Sequence, residues 1–343
     1  ILRQAWVMDK VKGHKQIFLT MRARSGQCIS MTEIAQLLSK SCGTSMVPVN
    51  GSRCIVNGEY HTVHFIEDVS YQILYGTARL TREEEKIWEV VKDLSIDMEN
   101  FAVLSYPKLF HNLKAAIKEV CTEEKNRHIF YDDVAIPGDE MLEIVREKAF
   151  TRLPDYMQHV AADAYETLLH TRDGQLCDII IDKAQLEAVY QAGKEAKDSI
   201  IKEYAESTVA IADIKIAVRA QKTAKSMEFM KRAMAECESL SVTQLAKAAV
   251  SGMDAIVEYL SQTEYAEGGR AIAESASAFE RWCDNRMMQT MQPQKYQSFS
   301  VGPLVAYVLA RENEIKTVRI IVSGKRSGLS DDSIRERVRE MYV

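Results

Sequence analysis

The sequence predicts a mainly α-helical protein built of three pseudo-repeated helical units, with any strand, such as a small β-hairpin, confined to its first 80 residues. Three observations carry this reading. From Thr81 onward, apolar residues recur at the spacing of a helix face. Glycine thins out over the same stretch, since residues 1–80 hold six of the fifteen glycines. A tripeptide pattern also returns twice at a fixed interval on segments expected to be helical. The expected organisation is an atypical α+β segment at 1–80, then helical units at 81–150, 151–250 and 251–343, the first shorter than the others.

In the N-terminal segment, Thr32 to Lys40 has the pattern of one short helix, with Ile34, Leu37 and Leu38 on one face. Further on, Arg53 to Phe65 reads as a hairpin. Asn57-Gly58 sits between two β-prone runs, and both residues tolerate the positive φ of a type I′ turn.

Thr81 is the expected cap of the first regular helix. Glu83 and Glu84 in its first turn match the positive end of the dipole, and Ile87, Val90, Val91 and Leu94 form its apolar face. A second helix is expected over 109–120, with Pro107 just ahead of it, where a missing N–H costs little. Pro154 opens another towards His170. Further helices are expected near 175–192, 196–222, 226–236, 241–249, 252–261 and 269–290.

Pro303 starts a long helix with Leu304, Val308, Ile315, Val318 and Val322 along one side, and Gly324 is its expected stop. Ser330 then caps a last helix that opens with Asp331-Asp332 and carries Arg335, Arg337 and Arg339 towards its end.

The recurring tripeptides are Asn112-Leu113-Lys114, Asp213-Ile214-Lys215 and Glu314-Ile315-Lys316, each 101 residues after the last. Each is a polar acceptor, a branched aliphatic and a lysine, followed by a second basic residue: Lys118, Arg219 or Arg319. Three related units of about a hundred residues, a usual domain size, would place one such helix at equivalent positions. Chance recurrence of common residues is the competing explanation. For the lysines themselves, a solvated face beside a buried aliphatic is the simplest reading. Tyr165 and Tyr265, 100 residues apart, are expected on helices of their own.

Composition limits the function classes. The chain has 343 residues, 46% hydrophobic and 27% charged, with a net charge of −5. This is a globular composition, and its acidic balance disfavours general nucleic-acid binding. A helix-turn-helix at 31–47 is weakened further because no basic recognition helix follows. No run approaches the ~18 apolar residues that would span a bilayer. Residues 1–25 lack the apolar block of a signal peptide. The chain opens on Ile1 rather than Met, which leaves room for a native start upstream. Seven scattered cysteines fit reduced thiols in a cytoplasmic protein.

Catalytic patterns are sparse. Around Gly324-Lys325, Arg319 stands where a phosphate loop needs its first glycine, and Arg326 where it needs Ser or Thr. His61 and His64, three apart on the expected strand, would point to opposite faces rather than share a metal. Cys177 and His170 form no triad with a third group. No cofactor, metal or catalytic residue is expected. The C-terminal segment 311–343 is dense in both signs of charge. Arg335, Arg337 and Arg339, beside Asp331, Asp332, Glu336 and Glu340, are the candidate interface residues, and a solvated, dipole-matched helix is the alternative.

The run Glu312-Asn-Glu-Ile-Lys-Thr-Val-Arg-Ile-Ile-Val-Ser-Gly-Lys-Arg-Ser-Gly-Leu-Ser-Asp-Asp-Ser-Ile-Arg335 resembles the closing signature of the C subunit of V-type (archaeal/bacterial vacuolar-type) ATP synthases, the counterpart of the eukaryotic V-ATPase d subunit. Asp213 to Lys222 resembles the central element of that family. Met98-Glu-Asn-Phe and Asn112 to Lys118 resemble the first. The likeness covers roughly residues 81–343 and departs over 1–80, where the family usually begins with a helix rich in Tyr, Ala and Arg.

The resemblance implies a funnel of three helical units and a non-catalytic place in the central rotor. Its partners would be the central stalk subunits and the membrane rotor ring, with no nucleic acid. Association with the membrane, at its cytoplasmic face, would be indirect through the ring. The alternative is a stand-alone helical enzyme whose active site is assembled from dispersed residues.

Overall fold

The computed structural model describes the backbone of residues 7–11, 14–20, 46–50, 53–56 and 59–66. It also describes residues 80, 83–84, 86–91, 99–122, 129–297 and 300–342. The chain forms two compact units, Ile1–Lys86 and Ile87–Val343.

The first unit contains β1 (Val7–Val11), β2 (His14–Thr20), β3 (Met46–Asn50), β4 (Arg53–Val56) and β5 (Glu59–Ile66). They join in one sheet in the order β1-β2-β5-β4-β3. β2 and β5 run parallel, and the other neighbours are antiparallel. Val56 pairs with Glu59 across Asn57 and Gly58, a two-residue connection. Of the five strands, the sequence pattern singles out only that pair. The short helix at 32–40 and Thr81 lie outside the described residues, as does the helix-turn-helix at 31–47 apart from residues 46 and 47, which are strand.

The regular structure described in the second unit is helical, and the helix that opens it begins before Ile87, within the first unit. Residues 80, 83–84 and 86–91 are helical, with Ile87 and Val91 buried but Val90 exposed. The next helix, α1 (Glu99–Thr122), is twice as long as its sequence pattern suggests, and Pro107 lies inside it rather than ahead of it. An interior proline forfeits the bond to the carbonyl of residue 103 and costs ~3 kcal/mol. Burial on both sides of it (Phe101, Val103 and Leu104, then Leu109, Phe110 and Leu113) offsets that loss and carries the helix through.

Six helices follow: α2 (Gly138–Glu147), α3 (Asp155–Thr171), α4 (Gly174–Glu195), α5 (Ser199–Lys222), α6 (Met227–Ala233) and α7 (Val242–Ser251). The last five are α8 (Met253–Ser261), α9 (Ala266–Glu274), α10 (Ala276–Met291), α11 (Gly302–Arg326) and α12 (Asp331–Arg335). Capping is local and direct at several starts. Asp173, Ser226, Ser241, Ser275 and Ser330 each accept a backbone N–H of the helix they precede.

Ser275 is also why the single helix expected over 269–290 is two. Its extended backbone ends α9, and its side chain caps α10. Tyr265 caps α9 instead of lying within a helix. α2 has no sequence forecast, although Met141, Leu142, Ile144 and Val145 form its buried face.

Gly324 does not stop α11. It lies within the helix, and a Cβ there would come within 2.7 Å of Ile334 Cγ1, so it is a packing glycine that lets α12 approach. The stop is Gly328, at φ +69°. Leu329 N–H bonds Gly324 O at 3.0 Å and Gly328 N–H bonds Lys325 O at 3.2 Å, the paired bonds of a Schellman turn. Val318 and Val322, expected on the buried side of α11, are exposed.

Two large apolar cores lie within the second unit. One gathers residues from Leu109 to Ala184 and the other from Ala210 to Cys283. The first runs across position 150 and the second across position 250.

Candidate functional site

The three tripeptides lie on α1, α5 and α11, and all three share a buried aliphatic and a lysine paired with another helix. The aliphatic is buried: Leu113 and Ile214 are 0% exposed and Ile315 is 3%. The lysine reaches a carboxylate on another helix. Lys114 pairs with Asp182 at 2.6 Å, Lys215 with Glu280 at 3.3 Å and Lys316 with Asp284 at 2.7 Å. The second basic residue repeats the pattern where Lys118 donates to Asp178 at 2.8 Å and Arg219 lies 4.0 Å from Glu280. The lysines are thus bonded across helices, where the sequence suggests a plain solvated face.

The polar residue of the pattern fastens a backbone segment that lies further along the chain. Asn112, fully buried, accepts Tyr131 N–H at 2.9 Å and donates to Tyr131 O at 2.7 Å and Ile136 O at 3.2 Å. Asp213, also fully buried, accepts Ala235 N–H at 3.2 Å through Oδ1, while its Oδ2 has no partner. Burial pushes the Asp213 carboxyl up to about 8. The Ala235 N–H opposes that shift, Glu236 reinforces it, and Lys183 opposes it.

On α11 the fastening side chain moves one residue. Asn313, not Glu314, is buried and donates to Glu340 O at 2.8 Å, while Glu314 pairs with Arg311.

The C-terminal segment is held at several further points. Glu340 N–H bonds Asn285 Oδ1 at 2.9 Å, and Arg281 donates to Glu336 O at 2.7 Å. This resolves the three candidate arginines into different roles. Arg335 ends α12, is 78% exposed and lies 3.6 Å from Asp332. Arg337 is half-buried and turns back to Ser333, donating to its carbonyl at 2.6 Å and its hydroxyl at 2.7 Å. Arg339 is buried and donates to Asp284 Oδ2 at 2.5 Å and to Arg337 O. The last helix, expected to carry all three arginines, holds only Arg335. α12 ends at Arg335, and the chain beyond it is tied to α10.

Asp284 is the residue that sequence reasoning misses. Burial acts to raise its pKa, but hydrogen bonds and charge from Lys316 and Arg339 outweigh that and hold the carboxyl below its ordinary value. Only Lys316 carries a signal, through its place in the tripeptide.

A cavity of about 700 Å³ opens between α4, α5, α10 and the segments at 238 and 264–265. Tyr190, Lys202, Glu206, Glu238, Tyr265 and Arg286 are among its lining residues. Glu206 accepts Ser239 N–H at 2.8 Å and Ser239 O–H at 2.5 Å, and Ser239 Oγ lies 2.9 Å from Tyr265 OH. The wall carries both signs of charge, with Arg286 paired to Glu264 at its edge.

Among the described residues, no group of three His, Cys, Asp or Glu could hold a metal ion. Val322 to Lys325 is helical, so the amides that would have to cradle a phosphate serve α11 instead. Among the described residues, no helix is long and apolar enough to cross a membrane.

Residues 75–337 match the family model described as ATP synthase (C/AC39) subunit. The C subunit of the V-type sodium ATPase of Enterococcus hirae is 22% identical over 269 residues, covering 77% of this chain and 82% of the relative. The C subunit of the A-type ATP synthase of Haloferax volcanii is 26% identical over 164 residues, 45% of this chain and 46% of the relative. That of Haloquadratum walsbyi is 36% identical over 89 residues, 24% of this chain and 22% of the relative.

Proposed function

Because the chain belongs to the ATP synthase (C/AC39) subunit family, we propose that it is the non-catalytic rotor part that couples a central stalk to a membrane ion-carrying ring. In this reading it sits at the cytoplasmic face of the membrane, attached through the ring, and three helical units centred on α1, α5 and α11 surround a funnel that receives the stalk.

The observation that carries the reading is the family match over 75–337, together with the repeated fastening of the three signature helices. A coupling part must transmit torque without yielding. Close-packed helices suit that task because interiors resist compression and pass strain on. Ion pairs between helices and buried side chains that pin connecting segments add resistance to sliding. Within this reading Arg335 is the arginine available to a partner, while Arg337 and Arg339 hold the segment that presents it.

The reading is tested by reconstitution. A complex assembled without this chain should hydrolyse ATP without moving ions, and adding the purified chain should restore ion transport. Transport that persists without it, or ATP turnover by the chain alone, would overturn the assignment.

A further inference from the structure

We propose that Asp213 is a proton-controlled latch on the segment from Met234 to Leu240: opening of that segment and loss of the Asp213 proton are one coupled event. The inference concerns the fold of this chain and stands apart from the rotor assignment.

The geometry points to it in three ways. Asp213 is fully buried on α5, and its one hydrogen bond holds the amide of Ala235, itself fully buried. Its Oδ2 lies in the interior with no partner, a position a proton can occupy and a negative charge cannot without water. At the corresponding place on α1 stands Asn112, whose amide supplies both an acceptor and a donor and makes three bonds to its own segment. The acid at 213 matches that amide only in its protonated form.

The charged and titratable groups acting on Asp213 are few. Lys183 comes from α4, and Glu236 and Cys237 come from the segment itself. Lys183 is already engaged with Lys231 O at 3.4 Å and Glu187 at 3.8 Å. Burial leaves the Cys237 thiol protonated, pushed up to about 12. The Lys183 charge favours an ionised Asp213 but is outweighed by burial.

The consequence reaches the cavity. Glu238 lines it, and Glu206 and Tyr265 on the same wall hold Ser239. Opening the segment takes that wall with it, so the shape of the cavity depends on the protonation of a residue behind it.

The signs follow from linkage. The closed form holds its proton up to about pH 8. The open form, with a solvated carboxyl, loses it near ~4. Between those values the open fraction rises about tenfold per pH unit, and above them it levels off.

The test is amide hydrogen exchange on the full chain from pH 5 to pH 9, corrected for intrinsic rates, for the native protein and Asp213→Asn. Protection of 234–240 should fall about tenfold per unit up to pH 8 in the native chain. It should be flat in the variant, and the Asn112-held segment 131–136 should be flat in both. Equal slopes in the two proteins, or no slope in either, would overturn the latch. Isotope-edited carboxyl NMR of the native chain gives a second reading that needs no variant: an Asp213 carboxyl titrating in the ordinary aspartate range would overturn it as well.

Discussion

Asn112 and Asp213 occupy the same step of the repeat, 101 residues apart, and differ by one group. Each is fully buried, precedes a buried aliphatic and holds backbone from a connecting segment 19 to 24 residues further on. The amide at 112 satisfies one donor and two acceptors. The acid at 213 satisfies one donor and leaves an oxygen unpaired. An amide makes this fastening independent of pH, whereas an acid makes it conditional on a proton. At the third site, on α11, the fastening has shifted to Asn313 and is reinforced by Asp284 and Arg339.

The largest expected effect is at this third site. Arg339→Glu sets two carboxylates together in a buried place and frees Asp284 from one of its two cations. A loss of about 4 kcal/mol is expected from denaturant unfolding. Arg339→Met, which removes the charge but keeps the bulk, should cost less than the reversal.

Next is Asn112→Ala, which leaves one N–H and two carbonyls of segment 131–136 without partners. It should cost about 3 kcal/mol, measured the same way.

Asp213→Asn sharpens the comparison in the opposite direction by giving α5 the amide of α1. The native carboxyl is raised, so the unfolded chain sheds its proton first and native stability declines as pH rises from ~4 towards ~8. The variant lacks that decline. Its advantage over the native chain should grow by roughly 2–3 kcal/mol between pH 6 and pH 8. An advantage that stays constant with pH would separate Asp213 from that proton.

The smallest effect is at Arg335. Its pair with Asp332 is exposed, and Arg335→Glu should change stability by less than about 0.5 kcal/mol. The same variant should weaken capture of partner proteins at low salt, and the difference should shrink at high salt.

What is legible in the sequence is local. Helical periodicity after 81, the Ser330 cap, the start at Pro154 and the tripeptide interval depend on residues within a turn of one another or on a count along the chain. Pro107 misleads because its local penalty is real, and only packing by Phe101, Leu109 and Phe110 shows why the helix continues. Gly324 misleads because glycine serves stops and close contacts equally well, and Ile334 decides between them.

The candidate site is legible in part for a related reason. The lysines and polar residues stand out by spacing, but their partners lie 19 to 68 residues away. Arg339 and Asp284 are 55 apart, and no periodic pattern links them. Charge alone makes Arg335, Arg337 and Arg339 look equivalent, and burial separates them.

The measurement that tests the functional account most directly is affinity purification of the tagged full chain from its source cell, with identification of what accompanies it. The account predicts central-stalk and membrane-ring proteins of a rotary ATPase in fixed proportion to the chain. Recovery of the chain without them, under conditions where the rest of that complex is intact, would contradict it.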